Sequence, residues 1–144
     1  MKKVVWVVLM LVFACTSGFA EKKKGGYLII LHSGNETNEG LSRATHALLY
    51  AEELAEGGYN VVLVFDGAGT GWATAFQDPN HPLHERFLKI LQVGVVEKIC
   101  DHCAESNGVK DQLSERQRNL LVNEYNGHSS IVKWIDKGYR VIVM

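Results

Sequence analysis

The chain has 144 residues, of which 47% are hydrophobic and 22% charged, with a formal net charge of −1. That length suffices for one domain with one core. A near-neutral chain without a basic block gives no case for nucleic-acid binding.

The first twenty residues, MKKVVWVVLMLVFACTSGFA, place two lysines before an apolar run from Val4 to Ala14 and end in small residues at Ala20. This is the build of a secretory signal peptide, and the run is short for a transmembrane span, which needs about 20 residues. The expectation is export to the periplasm, with cleavage after Ala20. A rival reading takes Val12-Phe13-Ala14-Cys15 as a lipoprotein box that anchors the chain to the membrane through Cys15. Removing residues 1–20 takes away Lys2 and Lys3, so the net charge falls from −1 to −3. Cys15 leaves with them, and the mature chain keeps Cys100 and Cys103. Residues 21–26 read as a solvated tether.

From Tyr27 the pattern alternates. Residues 27–32 are an apolar run suited to a buried strand. Residues 33–38 are a polar loop with N-cap residues, and a helix is expected from Glu39 to Glu56. Its apolar stripe is Leu41, Ala44, Ala47, Leu48, Ala51, Leu54 and Ala55, and Gly57-Gly58 stops it. A second strand covers 60–65. Residues 66–80 read as a long loop at the sheet edge, which in compact domains is often functional. Trp72 and Phe76 in it are expected to line the mouth of a site or to contact a neighbouring subunit, the latter preferred. A helix starts at His81-Pro82 and buries Leu83, Phe87, Ile90 and Leu91. A third strand runs 95–99. Residues 110–125 are ambiguous between helix and a short strand at 120–122. Ser129 or Ser130 caps a last helix with Ile131, Trp134 and Ile135 inward, and 139–144 form the terminal strand.

Strands alternating with helices predict a parallel sheet covered on both faces. Right-handed crossovers bring every strand-to-helix loop to one rim, where open α/β sheets bind ligands. Residues 32–38, 66–80 and 100–103 therefore gather there. Ser33, Gly34, Asn35, Gly67, Gly69 and His102 are the candidate binding residues on that rim.

Cys100 and Cys103 are the candidate catalytic residues. Cys100 lies at a strand–helix junction, where unpaired N–H groups favour thiolate. Glu97 and Asp101 oppose this, and a protonated His102 would offset them. Four readings stand beside one another: small core residues, a short structural disulfide, half of a metal site, or a reactive thiol with a partner. No second Cys-x-x-Cys accompanies the pair, so no metal ligand set is assigned, although His32, His81, His84, His102 and His128 are available. His128 reads as a capping or turn residue, and His46 as a satisfied histidine at the core edge. Asp66-Gly67-Ala68-Gly69-Thr70-Gly71 lacks the P-loop lysine and the Rossmann position, so no cofactor is expected and a flexible turn is the favoured reading.

The order of these pieces resembles the DsrE/DsrF-like family, which includes sulfur-relay subunits. The pieces are the alanine-rich helix with Arg43-Ala44-Thr45-His46-Ala47-Leu48, then Gly57-Gly58-Tyr59-Asn60-Val61, Phe65-Asp66-Gly67, His81-Pro82, Val95 to Cys100 with Cys103 and Gly108-Val109, and Gly138-Tyr139-Arg140-Val141. The likeness covers Tyr27 to Met144. It implies a flavodoxin-like three-layer αβα sandwich with four to five mostly parallel strands, and assembly into trimers or hexamers. It also implies that Cys100, eight residues before Gly108, accepts sulfur as a persulfide and exchanges it with a partner protein or small sulfur compound. Cys103 matches a second cysteine of some relatives. The export signal departs from relay subunits, which are cytoplasmic. The alternative function is a non-enzymatic periplasmic subunit that binds a small ligand or partner, with structural cysteines.

Overall fold

A computed structural model describes residues 24–144. The signal peptide, the Cys15 lipoprotein box and residues 21–23 of the tether lie outside the described residues. Lys24 and Gly25 are already tied to the fold: Lys24 N–H donates to the Gly58 carbonyl, and Gly25 accepts from Asn60 N–H. No helix among the described residues is long and apolar enough to cross a membrane.

Five strands form one all-parallel sheet in the order β4-β3-β2-β1-β5. They are β1 (Gly26–Leu31), β2 (Asn60–Phe65), β3 (Val96–Cys100), β4 (Leu121–Val122) and β5 (Tyr139–Val143). The pleat sends alternate side chains to opposite faces. Ile29, Leu31, Val61, Leu63 and Phe65 join the larger core, while Leu28, Val62 and Val64 point to the other face. Burial on both faces is why these strands read as continuous apolar runs.

Helix α1 (Asn38–Glu56) begins where Thr37 caps it, the hydroxyl accepting from Gly40 N–H at 2.9 Å. Ala44, Ala47, Leu48, Ala51 and Ala55 are buried against the sheet. Leu41, which spacing put on that stripe, is instead 38% exposed. Helix α3 (His84–Gln92) packs on the same face through Phe87 and Ile90. It starts later than His81-Pro82 suggests, because residues 81–83 form a turn in which His81 Nδ1 accepts from Leu83 N–H. The opposite face is covered by α6 (Ile131–Ile135) through Trp134. Ser130 caps it as expected, but Ile131 and Ile135 are 46% and 53% exposed rather than inward. Trp134 takes the sheet-facing position, and Ile131 and Ile135 lie about 60° and 100° round the helix from it. Helices on both faces of the sheet make the flavodoxin-like three-layer sandwich.

The stretch after β2 is not the open loop its glycines suggest. Residues Gly67–Thr70 form a 3₁₀ turn and Gly71–Ala75 form α2. Trp72 and Phe76 are 1% and 0% exposed and stack at 5.3 Å in the core. Trp72 Nε1 also donates to the Ser33 carbonyl at 2.9 Å. Neither ring faces a mouth or a neighbouring subunit. The turn lies so close to β1 that a Cβ on Gly69 would sit 2.0 Å from the Leu31 carbonyl oxygen. Glycine is there for backbone approach. Gly69→Ala is therefore expected to lower stability by about 1–3 kcal/mol, the usual cost of overpacking. Urea unfolding checks this, and an unchanged midpoint would mean that the turn is free to move.

Candidate functional site

Residues 110–125 resolve into a 3₁₀ turn (Lys110–Gln112), helix α5 (Glu115–Arg118) and β4, so both earlier readings hold in part. Their arrangement brings the segment after β4 back over the end of β3. There the chain turns through Asn126 and Gly127, both at positive φ. Tyr125 and His128 bridge across this turn.

Cys100 is the last residue of β3 and the N-cap of α4 (Asp101–Ser106). Its sulfur accepts from Cys103 N–H at 3.3 Å. The helix is brief because Gly108, at φ +65°, takes the left-handed conformation that ends it. Strand end, short helix and stopping glycine account for the eight-residue spacing from Cys100 to Gly108. One turn places Cys103 beside Cys100, with the two sulfurs 2.6 Å apart. Both cysteines are free.

Two further side chains complete the cluster. His128 Nδ1 lies 3.3 Å from the Cys100 sulfur and 3.4 Å from that of Cys103. The Cys103 thiol donates to Asp66 Oδ1 at 3.1 Å. Asp66 is the residue that follows β2, and its other oxygen lies 3.5 Å from His32 Nδ1. One ligand atom from each of Asp66, Cys100, Cys103 and His128 falls within 4.8 Å of every other.

The three expected segments do meet on one rim. Asn107, at the end of α4, donates from Nδ2 to the Gly67 carbonyl at 3.1 Å. However, the candidate binding residues there serve packing. The Ser33 carbonyl holds Trp72, Gly34 lies against Ala68, and Asn35 lies against Gly71. Gly67 and Gly69 are closed in by His32 and by the end of β1. His102 is exposed, its ring tilted against that of His128 at 4.8 Å and its Nε2 turned to Ser106 rather than to the sulfurs. The histidine at the thiols is His128, which spacing suggested was a turn residue. His81 packs against Trp72 and Phe76, and His84 holds the Phe76 carbonyl, so neither reaches the cluster. His46 is exposed and bonds the Ser42 carbonyl of its own helix.

The electrostatics depart from expectation. Cys100 is 0% and Cys103 7% exposed, under a polar cover of Asp66, Gly127 and His128. Burial pushes the Cys100 thiol up, and the neighbouring Cys103 thiol adds to this. The Cys103 N–H at the helix start lowers it but does not win. Burial likewise raises Cys103, and the Asp66 carboxylate adds to that. Desolvation of a thiolate thus outweighs one turn of helix. The opposing carboxylate is Asp66 rather than Glu97 or Asp101, which pair with Arg116 and Lys110. Burial works against the Asp66 charge too, but the two thiols, Gly67 N–H and His32 outweigh it and keep the carboxyl below its usual range.

The model of the DsrE/DsrF-like family matches residues 26–144. The chain belongs to the DsrE/DsrF-like family. It is also 37% identical over 97 residues to an uncharacterized protein of Methanocaldococcus jannaschii, covering 67% of this chain and 76% of that one. No solved structure matches the chain significantly. Membership associates the protein with sulfur-relay or thiol-redox chemistry and with partner proteins of that chemistry.

Both thiols are expected to alkylate slowly at neutral pH, with rates still climbing above the ordinary cysteine value of about 8.5. In Asp66→Asn the neighbouring anion is gone, and iodoacetamide labelling at neutral pH should accelerate about tenfold, equivalent to one pKa unit. An unchanged rate would separate Asp66 from the thiols. With the folded-state values raised, the contribution of the neutral thiols is complete below about pH 8.5 and is lost as pH rises above it. Unfolding measured across that range checks this.

Proposed function

We propose that the protein carries sulfane sulfur as a persulfide on Cys100, with Cys103 as the resolving thiol and His128 as the base. The observation that supports this best is a single imidazole nitrogen within 3.4 Å of both sulfurs. Cys100 is assigned the nucleophile because its thiolate, once His128 has taken the proton, is held by the start of the helix. Its sulfur accepts the Cys103 N–H, whereas the Cys103 proton is held by Asp66.

His128 takes the Cys100 proton as the thiolate attacks the outer sulfur of a donor persulfide, R–S–SH. The new Cys100–S bond forms, the donor S–S bond breaks, and the leaving R–S⁻ takes the proton from His128. Cys100 then holds –S–SH. Transfer to an acceptor thiol reverses the same steps. Where no acceptor comes, Cys103 attacks Cys100 at its inner sulfur and hydrogen sulfide leaves. The thiols are oxidised to a disulfide and the sulfane sulfur is reduced to sulfide. The burial that makes the resting thiols sluggish suits a carrier, since it protects the persulfide from water and oxidant. The donor reaches Cys100 by displacing the 125–128 turn. Export to the periplasm through residues 1–20, and assembly into trimers or hexamers as in the family, belong to this reading.

Reduced protein incubated with a polysulfide donor should gain about 32 Da, one sulfur atom, on Cys100. Cys100→Ser should lose the adduct. Cys103→Ser should keep it longer, because the resolving step is gone. His128→Ala should slow loading by 10²–10⁴-fold, the usual worth of a general base. Locked, unmodified thiols in all forms would favour the alternative of a binding subunit with structural cysteines.

A further inference from the structure

We propose that Asp66, Cys100, Cys103 and His128 form a zinc-type cation site, and that occupancy of this site masks the thiol pair. The inference uses the same four residues as the sulfur chemistry but does not depend on it.

The Cys-x-x-Cys spacing alone supplies two ligands and stops short of a site. The fold supplies the other two from distant segments: Asp66 from the end of β2 and His128 from the turn after β4. A tetrahedral zinc ion with the usual Zn–S, Zn–N and Zn–O bonds needs ligand atoms about 3.3–3.8 Å apart. Here sulfur to imidazole is 3.3 and 3.4 Å, and sulfur to carboxylate is 3.1 Å. These edges already match to within a few tenths of an ångström. The edge between the sulfurs, now 2.6 Å, must open by about 1 Å, and the edges from Asp66 to Cys100 and to His128, bounded by 4.8 Å, must close onto the ion by side-chain rotation.

The donor set selects the ion. Two thiolates, an imidazole and one carboxylate suit zinc. Calcium and magnesium demand oxygen ligands, and iron–sulfur clusters generally take four thiolates. One outer group is also in place: Asp66 leans on His32 at 3.5 Å, the kind of partner that orients a metal ligand. The turn that carries His128 is fixed by backbone bonds to Glu124 and Tyr125. Asp66 and His128 are only half-buried, so the ion arrives from the solvent side.

Binding is an exchange without change of oxidation state. Two S–H bonds break, two Zn–S bonds form, and both protons pass to solvent, while Asp66 binds as carboxylate and His128 as neutral imidazole. Four protein ligands close the coordination shell. The thiolates are then committed to the ion and are not available to sulfur donors.

The test titrates reduced, chelator-treated protein with Co²⁺ as the spectroscopic probe. Tetrahedral visible bands and sulfur-to-cobalt charge transfer should saturate at one ion per chain and be abolished by equimolar Zn²⁺. His128→Ala and Asp66→Ala, with His128→Gln and Asp66→Asn as variants that keep the shape, should each weaken Zn²⁺ binding by at least about tenfold. Circular dichroism shows that each is folded. In parallel, polysulfide loading of the wild-type protein is compared with chelator and with equimolar Zn²⁺, and the metal should suppress it. Absence of tetrahedral bands, or Zn²⁺ affinity unchanged in folded forms of both positions, overturns the site. Loading that zinc leaves unaltered overturns the masking. Failure to load in chelator counts against the sulfur reading alone, since the cobalt spectrum stands without it.

Discussion

Parallel strands joined by right-handed crossovers leave the sheet on the same rim, and everything chemical in this molecule depends on that constraint. Asp66 follows β2, Cys100 ends β3, and His128 sits in the turn beyond β4. They lie 28 to 62 residues apart along the chain at most. Yet carboxylate, two thiols and imidazole share one small compartment because neighbouring strands β2, β3 and β4 deliver them side by side. No local propensity could do this. It is a consequence of strand order.

Within that compartment two effects compete for the thiols. The start of α4 offers an N–H that favours thiolate, and burial disfavours it. Burial wins, so the resting state is a neutral thiol pair hydrogen-bonded to Asp66 and facing His128. The compartment is therefore poised rather than active. A reaction partner that takes up the thiol protons, or a base that receives them, sets it going. His128 is in position to be that base, and a cation would be the most effective displacer of both protons at once.

The sheet and its order of elements were legible because buried parallel strands announce themselves as apolar runs between helices. Cys100 and Cys103 were legible too, since strand, short helix and Gly108 set their spacing. What escaped was everything that depends on contact between segments. Asp66 and His128 look like ordinary loop residues until β2 and β4 flank β3. Spacing within the motif pointed to His102 instead, and a helix start sends that side chain outward. The glycines at 67 and 69 suggest an open loop, but they mark close approach to β1, which pulls Trp72 and Phe76 into the core. The apolar pattern over α6 suggests three inward residues, but the helix is turned so that Trp134 alone meets the sheet.

The two sulfurs share one compartment, so each meets the other before a second outside thiol can engage it. Intact mass after exposure of the reduced protein to oxidised glutathione tests it directly. Loss of about 2 Da is expected, with the Cys100–Cys103 bond formed and no glutathione retained. Stable glutathione adducts on both cysteines of a folded protein would contradict it, because thiols held together under a common cover cannot each keep a separate partner.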